Sequence, residues 1–150
     1  MLIENPLSSE FAFPILECFH IVGFAVAIGS IALVDFRLLG FGLRRQSPAD
    51  LQKDAGLWIL GGLSTAIFAG LLLYSTDPDM YYLNSIFLAK MVCLILAIVF
   101  NYTLHRKAVQ PEASGGWAKT LAVVSLALWI SVITGGMFIA FLPSQTLSIF

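Results

Sequence analysis

The sequence predicts an all-α integral membrane protein folded as a four-helix bundle, and three observations carry that expectation. Hydrophobic residues make up 59% of the 150 positions, charged residues only 11%, and mean hydropathy is +0.90, values outside the range of ordinary soluble domains. The apolar residues gather into four runs, about 11–39, 57–74, 83–104 and 117–141, each near or above the ~20 residues that a helix needs to cross a bilayer. These runs are continuous rather than alternating in ten-residue pieces, which argues against a transmembrane barrel. Amides exposed to lipid must be satisfied within their own segment, so each run reads as a helix. Residues 1–150 therefore read as a single transmembrane domain, and a net charge of -1 offers nothing to nucleic acid.

Prolines mark the limits of the elements. The first run carries Pro14 in its first turn, where the missing N–H does no harm, and Pro6, Pro48, Pro78, Pro111 and Pro143 all fall outside the runs. The N-terminal stretch MLIENPLSSE lacks a basic segment, so the first run is expected to stay in the mature protein rather than be cleaved as a signal. Ser47 and Pro48 have the chemistry of an N-cap and first helical position, with Asp50 and Asp54 behind, so the second helix is expected to begin on the membrane surface before it enters lipid. Trp58 and Trp117 then stand at one interface, as aromatic belts do. A linker-like stretch, QPEASGG, separates the third run from the fourth.

Orientation follows from the basic residues, because cytoplasmic loops retain Lys and Arg. Arg37, Arg44, Arg45, Lys53, Arg106, Lys107 and Lys119 fall at one end of the runs, whereas Glu4, Glu10, Asp77 and Asp79 fall at the other with no basic residue among them. Both termini are expected on the outer, periplasmic side of a bacterial inner membrane. Cys18 and Cys93 lie within runs, where they read as small hydrophobes rather than a disulfide.

Ionisable residues inside a membrane segment are costly unless paired or wetted, so they are the first candidates for function. Glu17 and Asp35 are eighteen residues apart, five whole turns, and His20 points about 60° from them. In the third run Lys90 and Asn101 lie within about 20° of each other and His105 about 60° from Lys90. Depth sorts these residues into two clusters between the first and third helices. The outer one joins His20, Glu17 and Lys90; the inner one joins Asp35, Arg37, Asn101 and His105, with His105 also legible as an interfacial residue because Arg106 and Lys107 follow it. Either cluster also reads as polar contacts that fix helix register. Gly62, Ala66 and Gly70, and Ser131 with Gly135, form small-residue stripes suited to close helix packing, to a dimer interface or to a flat cofactor.

Four functions suit such a bundle. Haem b needs an inward His, which His20 offers, with Lys90, Met137, water or a second subunit's His20 on the other side of the iron. Copper suits His20, Cys93 and Met137 with Cys18 and Met91 nearby, although Met91 and Cys93 point about 160° apart. A proton or ion path would run through Glu17, His20, Lys90, Asn101 and Asp35, and a structural or assembly subunit needs no chemistry at all. No phosphate loop, His-Glu-x-x-His pair or nucleophile elbow is present, so independent catalysis is not expected.

The stretches ECFHIVGFAVAIGSIALVDFRLLG and FLAKMVCLILAIVFNYTLHR resemble an uncharacterised bacterial family of small four-helix membrane proteins. That family carries an early His, an Asp-x-Arg-Leu-Leu-Gly motif closing the first helix, and a Lys followed eleven positions later by Asn. His20, Gly23, Asp35, Arg37, Gly40, Lys90 and Asn101 occupy those positions here. The sequence is more distantly similar to the membrane domain of copper-resistance D proteins. The leading expectation is a redox-cofactor component, haem b preferred, acting in electron transfer as an accessory subunit, with a homodimer or a larger membrane redox complex as its setting. The alternative is a small transporter handling copper or protons with the same residues.

Overall fold

The computed structural model describes residues 11–42, 45–111, 113 and 115–141. Glu4, Glu10 and Arg44, three of the charges that orient the sequence, lie outside these residues. The described chain is helical: α1 is Ala12–Leu39, α2 Pro48–Thr76, α3 Pro78–Tyr82 and α4 Ser85–Phe100. A π-helical turn, Asn101–His105, continues α4 into α5, Arg106–Ala108, and α6 is Gly115–Phe141. Four of the stretches so formed are long and apolar enough to cross a membrane, Ala12–Leu39, Pro48–Thr76, Ser85–Ala108 and Gly115–Ile139, which makes this a multi-pass membrane protein in form.

Local chemistry explains where each helix starts and stops. α1 ends at Gly40, whose φ of 94° lets its N–H reach back to the Arg37 carbonyl, the left-handed stop that glycine adopts without strain. Nine residues of α2 precede the apolar run that begins at Leu57. Ser47 Oγ accepts the Asp50 N–H at 3.1 Å and Pro48 opens the first turn, so capping fixes the start of the helix while hydropathy fixes only its lipid portion. α3 is a short helix that the hydropathy pattern does not reveal. Asp77 caps it by accepting the Met80 N–H at 3.1 Å, and Tyr81 packs with Tyr74 and Phe87, ring centroids 6.1 and 5.4 Å away, tying the α2 to α4 turn together. Asn84 then caps α4 through the Ile86 N–H.

α1 sits between α2 and α6, and α6 sits between α1 and α4. The α1–α2 crossing is backbone on backbone. A methyl group on Gly23 would stand 2.7 Å from the Ala66 nitrogen, and one on Gly62 2.6 Å from the Gly23 carbonyl oxygen, so only glycine permits this approach. The core joins Ala27, Ile31 and Val34 of α1 to Ile59 and Leu63 of α2, Leu94 and Ala97 of α4, and Trp129 and Val132 of α6. Phe19, Phe68, Ile95 and Ile130 face outward, an apolar girdle that lipid would cover. Of the second small-residue stripe, Gly135 lies against Lys90, whereas Ser131 is exposed and bonds its own helix at the Ala127 carbonyl. Cys18 is exposed, Cys93 half-buried, and both are free thiols.

Candidate functional site

The outer site is built on the α1–α2 crossing. Because Gly23 and Ala66 touch, the Ala66 carbonyl comes within reach of His20 one turn earlier, and His20 donates its Nδ1–H to that oxygen at 2.7 Å. A carbonyl can only accept, so a neutral His20 keeps its lone pair on Nε2. The Cε1–Nδ1 edge of the ring rests on Gly70, where a methyl group would meet Cε1 at 2.8 Å, and the ring is perpendicular to Phe24 with centroids 4.9 Å apart. Lys90 reaches the same Phe24 from α4, its Nζ 5.6 Å from the ring centroid, while its stem rests on Gly135 and Gly136 of α6. A cation over an aromatic face is held by the ring quadrupole. His20 and Lys90 are thus gathered around one phenylalanine.

Glu17 stands apart from them. It is exposed, makes no ion pair with Lys90, and acts instead on the Tyr81 phenol. Burial, with the negative charges of Glu17 and Asp77 behind it, pushes that phenol above the ordinary tyrosine value. The copper set is not assembled either: Met137 is 61% exposed, Cys93 half-buried on α4, and among the described residues no group of three or more His, Cys, Asp or Glu side chains gathers.

The inner site centres on Asp35 and His105. Both are 0% exposed, and His105 donates its Nε2–H to Asp35 Oδ1 at 2.6 Å across seventy residues of sequence. The basic residues after His105 would place it at the membrane surface; the π-turn carries it inward instead. Asn101, one turn earlier on the same face, is also buried, and Ser125 of α6 is buried with its hydroxyl beside the Asp35 carboxylate. Asp35 Oδ2, His105 Nδ1, Asn101 Oδ1 and Ser125 Oγ are nevertheless without hydrogen-bond partners. Arg37 does not join this group. Two residues beyond Asp35 it points about 200° around the helix, and its Nε donates to the Gln46 carbonyl at 2.8 Å.

Residues 12–142, which contain both sites, match the family of unknown function DUF6644. The chain belongs to the DUF6644 family. No curated protein and no solved structure matches it, so the sites rest on their own geometry. Sequence spacing did not single out Phe24 or Ser125. Phe24 lies one turn from His20, and Ser125 is a polar position in a helix otherwise apolar around its middle, a signal that becomes readable only once Asp35 is known to face α6.

Proposed function

We propose that this DUF6644 member is an electron-transfer component of the bacterial inner membrane that holds haem b at the outer site. The observation that supports the reading is the bond from His20 Nδ1 to the Ala66 carbonyl. Ligating histidines characteristically donate their second nitrogen to a carbonyl or carboxylate, which fixes the tautomer and turns the lone pair outward. The residues present fit the group. His20 offers Nε2, Lys90 offers an amine from α4, Phe24 supplies an aromatic contact, and Gly70 makes room for the imidazole as Gly135 and Gly136 do for the lysine side chain. Haem supplies a one-electron couple when bound. The chain's own part is to orient His20, hold Lys90 over the Phe24 ring and exclude water behind the apolar girdle. Arg45, Lys53, Arg106, Lys107 and Lys119 cluster at the end of the bundle where α1 stops and α6 starts, which supports termini on the periplasmic side. A homodimer or a larger redox complex is the natural setting for so small a carrier.

The test is absorbance of protein expressed with ample haem. A Soret band is expected, lost in His20→Ala and altered in position or spin state in Lys90→Ala. Absence of the band from the folded wild-type protein sinks the reading and leaves proton or copper handling as the alternative to pursue.

A further inference from the structure

The inner site lies fifteen residues along α1 from His20, about 22 Å by helix rise, so it has no part in holding a cofactor at the outer site. Its contents need a function of their own. A neutral imidazole beside an ionised carboxylate would leave one uncompensated negative charge in the middle of an apolar bundle, a state that costs several kcal/mol. One additional proton, on His105 Nδ1 or on Asp35, makes the pair neutral. Asp35 Oδ2, His105 Nδ1 and Asn101 Oδ1 lack hydrogen-bond partners, and the Ser125 hydroxyl, although beside the Asp35 carboxylate, makes no well-formed bond to it. Native structures leave very few such atoms, and small clusters of them are where ordered water resides.

We propose that Asp35 and His105 form a proton-exchange site, holding one exchangeable proton and at least one bound water among Asp35, Asn101, His105 and Ser125. Protonation transfers a proton from hydronium to the pair and leaves water behind; release reverses the step, with the proton returning to water. The setting isolates that proton from other charges. On α1, Arg37 turns to the Gln46 carbonyl. On α5, Arg106 lies over the Tyr102 ring and Lys107 is exposed. On α6, Lys119 is exposed more than a turn before Ser125, and on α2, Asp50, Lys53 and Asp54 are exposed. On α4, Lys90 is engaged at Phe24. No charged side chain but their own touches Asp35 or His105 among the described residues. The π-turn strengthens the reading, because such turns within helices are frequent at functional sites.

The chain has two histidines, so His20→Gln with a non-histidine affinity tag leaves His105 as the sole imidazole. Nitrogen NMR of ¹⁵N-histidine protein in lipid nanodiscs then reports its charge and tautomer directly. The expected result is a change of state as pH is varied over the range in which the bundle stays folded, and its loss or displacement in Asp35→Asn. Ser125→Ala, which removes only a hydroxyl, is expected to move the transition as well and serves if Asp35→Asn does not fold. An imidazole that keeps one state throughout, or that titrates identically with and without Asp35 or Ser125, overturns the proposal and leaves a static register contact. A response to added sodium or potassium at constant pH, with none to pH, overturns it in favour of a metal cation.

Discussion

Gly62 of α2 lies so close to Gly23 of α1 that a methyl group added to it would stand 2.6 Å from the Gly23 carbonyl oxygen. That contact sets the distance between two helices, and through it the bond from His20 to Ala66.

Gly62→Val should therefore act at a distance. Overpacking of this kind costs about 1–3 kcal/mol, and helix separation would remove the carbonyl from His20. A lower thermal midpoint by circular dichroism, together with loss of the His20 tautomer preference by NMR, is the expected pair of results. An unchanged midpoint would mean that α1 and α2 are held elsewhere.

Gly70→Val separates ligand placement from folding. The added side chain collides with the imidazole, whose Cε1 already lies 2.8 Å from the position of a β-carbon, while the Gly23–Gly62 crossing two turns away is untouched. On the proposed haem reading, the ratio of Soret to protein absorbance should fall at least several-fold with helicity preserved.

Asp35 and His105 should behave as a unit in stability measurements. Removing one partner of a buried pair costs about 3–5 kcal/mol, whereas replacing both with apolar residues is often neutral or better. Asp35→Leu and His105→Leu should each lower stability strongly, and the double variant should recover most of the loss. Arg37→Gln, whose side chain lies at the surface on a backbone carbonyl, should change stability by no more than about 0.5 kcal/mol.

Tyr81 supplies a pH dependence outside the membrane segments. Its phenol is raised by burial first and by Glu17 and Asp77 after that. The folded chain thus holds this proton to higher pH than the unfolded chain does, so the contribution to stability is complete below the ordinary tyrosine range and declines as pH rises through it towards the folded value. Alkaline difference spectroscopy should show a late-titrating tyrosine that disappears in Tyr81→Phe, and Glu17→Gln should bring its midpoint down. A midpoint unmoved by that substitution would show that burial acts alone.

The membrane helices were legible because hydropathy and proline placement act within each segment and need no tertiary context. The pairing of Asp35 with the third helix was legible too, since both polar levels follow from rise and rotation along ideal helices. What defeated the spacing argument was local. Glu17 reads as an interior partner for Lys90 at 100° per residue, yet it lies at the exposed end of α1, nearer Tyr81 of a short helix that hydropathy does not signal. His105 reads as an interfacial residue from its basic neighbours, but a π-turn has no sequence signature in this chain and rotates it into the core. Helical periodicity assumes an unbroken ladder, and it loses accuracy wherever the ladder changes.

Asn101–His105 winds more loosely than the helix on either side of it. Wind the same residues at regular pitch and the downstream imidazole swings by about one residue's rotation, 100°, and Asp35 is stranded in hydrocarbon. The partnership at the heart of this bundle is thus recorded less in the choice of side chains than in the pitch of a single stretch of backbone.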